Sequence, residues 1–145
     1  MLRSKIKCHS IGNKYEKPHF FILSKGRNAG KPMVEYCANC YVFVADSEEE
    51  KWHYYNLCFA LWQGRYFIPL LVGSVIEFIR IDELAISIHH ANITISQDLE
   101  TYKEYLDYLK QLNQQRLYLK QQIALIHQVG QALSYKIFKS KKAAH

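Results

Sequence analysis

Proline and glycine are scarce, with three and six among 145 residues, and where they fall divides the chain. Between Gln97 and Lys139 there is no proline and one glycine, Gly130, so little there would break a long helix. Long apolar runs are lacking as well. The longest, "HFFIL" and "YFIPLLVG", fall far short of the ~20 residues a membrane-spanning helix needs. Met1 to Lys7 is basic, but "CHSIGNKYEKP" follows where a secretory signal would carry its apolar segment, which favours a cytoplasmic protein. There are four cysteines, and in that compartment they are expected to be reduced. No internal repeat is visible.

Aromatic side chains are plentiful. They make up 14% of the chain, within 49% apolar residues overall, which excludes a disordered polypeptide and suits one small domain with a modest core. The net charge of +6 is unevenly spread. Residues 1–33 hold eight Lys or Arg against Glu16 alone, a net +7, while residues 34–96 are net −5. Residues 97–138 are nearly balanced, and the tail "KSKKAAH" is basic. A basic first quarter beside an acidic middle makes a polarised surface, and polyanions are the natural partner of its basic side.

The first third reads as strands and turns. "HFFIL" (19–23) is a short apolar strand, "SKGRNAGKP" (24–32) a glycine-marked connection, and "MVEYCANCYVFVA" (33–45) a strand region rich in β-branched and aromatic residues. "DSEEE" then starts a helix, with Ser47 and Glu50 at capping-box spacing and acids crowding the first turn. Trp52, Tyr55, Phe59 and Trp62 follow on one face and are expected in the core beneath the sheet, and Gly64 ends the helix. From 65 to 96 the reading is of short pieces, small strands such as "SVIEFIRI" and "AISI" around one helical turn, with the long helix starting at Gln97.

That helix carries a regular heptad. Counting from Tyr102, the a positions are Tyr102, Leu109, Arg116, Ile123, Gly130 and Ile137, and the d positions are Tyr105, Leu112, Leu119, Ile126 and Leu133. Nine of these eleven are apolar and the register never slips, which favours a coiled coil over a surface helix. Forty helical residues reach roughly 60 Å, so the helix needs a partner, either a second chain or its own fold-back near "QLNQQ".

"SKGRNAGKP" resembles a phosphate-cradling loop, but the fit fails. Only three residues separate Gly26 from Gly30, Pro32 stands where Ser or Thr would hold magnesium, and a strand follows instead of a helix. What remains is a flexible turn carrying Lys25, Arg27, Asn28 and Lys31, suited to a nucleic-acid backbone, with Lys14 and Lys17 flanking it and Lys141 and Lys142 as lesser contributors. The alternative is a solvated hairpin turn. "CANC" (37–40) has zinc-ligand spacing, but no second pair exists and its flanks read as strand, so two ordinary cysteines are expected and no metal. His89 and His90 have no acid at a useful spacing, so they read as a polar strand end, and no catalytic residue or cofactor is assigned.

In order and spacing, residues 17–96 resemble the target-recognition domain of type I restriction–modification specificity subunits. The matching pieces are "FFILSKGRNAGKP", "CANCYVFVA", "YYNLCFALWQGRYF" and "GSVIEFIRIDELAISI", with a long helix after them. The family's proline at the last handover is absent, and so is a second copy of the domain. The resemblance implies double-stranded DNA as ligand, coiled-coil pairing of the helices, and a methyltransferase or other protein subunit as a further partner. The expectation is an α+β protein. A small mixed-sheet domain with a buried helix (1–96) precedes a long coiled-coil helix (97–140) and a basic tail (141–145). It is expected to be non-enzymatic and to bind DNA as a homodimer. The rivals are an adaptor whose long helix docks on another protein, and a metal-dependent enzyme using Cys37, Cys40 and a histidine.

Overall fold

The computed structural model describes residues 2–143, with side chains through Ser140. The chain divides into two compact units, one up to Tyr102 and one from Lys103 onward. In the first, a 3-10 turn (Leu2–Lys5) leads into strands β1 (Ile6–Cys8), β2 (His19–Leu23), β3 (Pro32–Met33) and β4 (Cys40–Val44). They form one sheet in the order β1-β4-β2-β3. Every pairing is antiparallel, so the sheet is not the mixed one expected. The strand region read over 33–45 is two short strands joined by a loop.

Alternation along β2 and β4 splits their side chains between two faces. Phe20, Ile22 and Phe43 enter the main core, and Phe21, Cys40 and Val42 form a smaller cluster on the other face. Against the first face lie helices α1 (Glu48–Gln63) and α2 (Ile81–Ser96). They are tied to each other by His53 and Asn92, whose side chains meet at 2.7 Å.

The start of α1 follows the capping reading: the Ser47 hydroxyl accepts from the Glu50 amide at 3.1 Å. Its core-facing side is the expected one at Tyr55, Phe59 and Trp62, and departs from it at Trp52. Leu57, Cys58 and Phe59 are buried, and Tyr54, Tyr55, Leu61 and Trp62 pack partly against the core, whereas Trp52 is 43% exposed. Gly64 does follow the last turn, but at φ −78, and Arg65 takes the left-handed conformation at φ +63. The Tyr66 amide donates to the Leu61 carbonyl and the Arg65 amide to that of Trp62, both at 3.0 Å, which closes the helix end as a Schellman motif. A Cβ at Gly64 would lie 2.9 Å from the exposed Tyr66 ring, which would have to shift to admit it.

The largest departure is α2. The small strands and single turn read over 81–96 are one sixteen-residue helix. Ile81, Leu84, Ala85, Ile88, Ala91 and Ile95 recur at helical spacing and all face the core, while Ile86 and Ile93 are exposed. Gln97 therefore ends α2 rather than starting the last helix. Asp98 caps α3 (Leu99–Ala143), its carboxylate accepting from the Thr101 amide at 3.1 Å and the Thr101 hydroxyl at 2.6 Å. These bonds hold the Asp98 carboxyl below its usual range. From Lys103 to its end, α3 makes up the second unit.

Candidate functional site

The glycine turn is built to be fixed, not flexible. Gly26 and Gly30 sit at φ +89 and +97, where a side chain would strain the backbone, and a Cβ on Gly30 would run into the buried Phe67 ring. The Gly26 amide donates to the Glu77 carbonyl at 2.7 Å, and the Ile79 amide to that of Ser24 at 3.0 Å, so the turn is stitched to residues 77–79. Ala29 is buried beneath it.

Docking in this way engages part of the charge. The Arg27 guanidinium donates to both Glu77 carboxylate oxygens, at 2.9 and 3.3 Å. The Lys31 ammonium lies 5.1 Å from the centre of the Trp62 ring, and Lys17 pairs with Asp46 at 3.3 Å. Lys14, Lys25 and Asn28 are exposed, and the two lysines make no ion pair among the described residues. The turn thus gathers Lys25, Arg27, Asn28 and Lys31, while Lys14 and Lys17 lie on the loop leading into β2. The Lys141 and Lys142 side chains are not described; residues 141–143 of the expected tail continue α3, and the rest of it lies outside the described residues.

Cys37 and Cys40 bracket a turn in which the Cys40 thiol donates to the Cys37 carbonyl at 3.2 Å, and burial pushes that thiol up. Among the described residues no group of three or more His, Cys, Asp or Glu is placed to hold a metal ion. His89 and His90 are exposed on α2, not at a strand end, and line a cavity of about 410 Å³ with Arg3 and Asp82.

On α3 the seam positions differ along the helix. Tyr102, the first of them, packs against the core of the first unit and is not free to face a partner. Leu109 is half-buried. Tyr105, Leu112, Leu119, Ile123, Ile126, Leu133 and Ile137 are exposed, Ile126 to 72%. Leu117, Tyr118, Leu125 and Phe138, off that seam, are exposed too, so the apolar surface is wider than two paired helices require. No helix among the described residues is long and apolar enough to cross a membrane.

One feature had no motif to announce it. A cleft of about 740 Å³ opens on the sheet face turned away from α1 and α2, lined by side chains that include Tyr15, His19, Phe21 and Tyr36. Its only trace in the sequence is the alternation of His19 with Phe21; the two tyrosines come from loops.

A small antiparallel α+β unit continuing into a long amphipathic helix is the class of protein this geometry defines. The chain belongs to a family of unknown function, DUF6943, which matches residues 6–136 and so takes in parts of both units. No curated protein and no solved structure matches it.

Proposed function

We propose that this is a non-enzymatic interaction module of the cytoplasm that pairs with a second copy of itself through α3. The exposed apolar seam from Tyr105 to Ile137 carries this reading. Each such side chain is worth roughly 1.5–3 kcal/mol on full burial, and a solitary helix cannot bury its own seam. In sedimentation equilibrium the wild type is expected to run as a dimer. Ile123→Asp with Ile126→Asp is expected to run as a monomer with an unchanged first unit, because those residues lie in the other unit. A wild-type monomer at high concentration would sink the reading, whereas a larger oligomer would point to use of the wider surface around Leu117 and Leu125.

Duplex DNA binding by the glycine turn is the second reading. Lys14 and Lys25, exposed and without an ion pair among the described residues, support it together with the exposed Asn28. Arg27 and Lys31 are already engaged, so the contacts of this reading are Lys14 and Lys25, and a dimer using those two per chain should show a salt slope near −3.6, at about −0.9 per phosphate. Lys14→Ala with Lys25→Ala should flatten that slope and weaken binding to all sequences alike, since backbone contacts position without specifying. Equal slopes for wild type and variant would remove DNA from the account.

A further inference from the structure

We propose that the cleft on the outer face of the sheet binds unpaired bases of single-stranded nucleic acid. The register places Lys7, Val42, Phe21 and Met33 in one row across β1, β4, β2 and β3, and Val42 and Phe21 belong to the outer cluster. Tyr15, His19 and Phe21 form a chain of rings over that row, with centroids at 5.2 and 5.5 Å, and His9 joins it to Tyr36, its ring 5.6, 5.0 and 5.3 Å from those of Tyr15, Phe21 and Tyr36. Phe21 is the floor at 5% exposed, and Tyr36 is a wall at 58%. An aromatic wall offers a stacking surface to any base, because every base has a π-face.

Charge supports the same ligand. Lys7 on the sheet face and Lys14 in the cleft lining are exposed and make no ion pair among the described residues, so both are available to phosphate. Glu35, the acid in the lining, can accept from the amino group of a base. Two other occupants fit less well. The bases of a duplex are stacked on one another and cannot enter a recess whose floor is nearly buried. A polypeptide adding to the sheet would pair with an edge strand, and the edges β1 and β3 are only three and two residues long. The cleft lies wholly in the first unit, so the proposal does not rest on pairing through α3.

The test is fluorescence anisotropy with a labelled single strand of about 12 nucleotides, and with the same sequence as duplex, at about 50 mM salt. The wild type is expected to prefer the single strand. Tyr36→Ala, at an exposed position, should weaken that binding by about 5- to 150-fold and leave the far-ultraviolet spectrum unchanged, while Tyr36→Phe should bind like the wild type. Lys7→Ala with Lys14→Ala should reduce the single-strand salt slope by about 1.4. Unaltered affinity in a folded Tyr36→Ala overturns the proposal. So does tighter binding to duplex that Lys25→Ala abolishes and Tyr36→Ala does not, a result that would support the glycine turn instead. No binding to any single strand also overturns it and leaves the cleft to a polypeptide.

Discussion

Tyr102 shows how a residue's role changes once its neighbours are known. As an a position it belongs to a pairing seam, yet it packs on the core, and its hydroxyl is buried with no hydrogen-bond partner among the described residues. Such a group loses its water without compensation. Tyr102→Phe is therefore expected to stabilise the protein by about 1 kcal/mol in urea titrations, and a loss of similar size would show that the hydroxyl has a partner. Burial also pushes this phenol up to about 12, against about 10 in an unfolded chain. Its proton is held more tightly in the fold, so that contribution is intact below pH 10 and is lost as pH rises through 12. The phenylalanine variant should lose less stability over that interval.

At the scale of elements, the two middle helices contrast in legibility. The start of α1 was readable because Ser47, Glu50 and the acidic first turn act locally. Its buried side was legible only in part: Tyr55, Phe59 and Trp62 do turn inward, but aromatic residues run nearly all round the helix and nothing local says that Trp52 faces water. In α2, isoleucine and threonine favour strands locally, but six apolar side chains at helical spacing meet the core only if the segment is helical, and packing outweighs a propensity worth under about 1 kcal/mol per residue. The two tryptophans of α1 test its orientation. Trp62→Ala, which strips packing from the core edge and the ring beneath Lys31, should cost about 2–3 kcal/mol, less than for a fully buried aromatic. Trp52→Ala should cost about 1 kcal/mol or less. Equal losses in thermal unfolding would contradict the orientation described.

Across the whole molecule, charge polarity works inward as well as outward. Lys5, before β1, donates to Asp46 and Glu50 at the start of α1, and Lys17 adds a second cation to Asp46. Part of the basic first quarter thus closes on the acidic middle instead of facing a polyanion. Hydrogen bonds from Lys5 and Lys17 hold the Asp46 carboxyl below its usual range. Burial pushes Glu50 up, but the Asp46 amide and Lys5 outweigh it and hold that carboxyl down as well. Both contributions are present above the unfolded values of about 4 and are lost as pH falls through the lower folded ones. Lys5→Met should therefore be less stable than the wild type at neutral pH, and the gap should close below about pH 4. A gap independent of pH in denaturant titrations would mean that Lys5 acts through packing alone.

The sequence by itself determined what depends on near neighbours along the chain: the α+β character, the capped start of α1, the glycine connection and the unbroken length of α3. Those follow from backbone preferences and periodicity over a few residues. Only the tertiary structure decided which cations are spent internally. Arg27 meets Glu77 fifty positions away, and Lys31 meets Trp62. The antiparallel order of the sheet and the aromatic cleft on its outer face are likewise products of long-range pairing. Contacts of that kind form because burial and hydrogen bonding bring distant segments together, and no local pattern records which segments those will be.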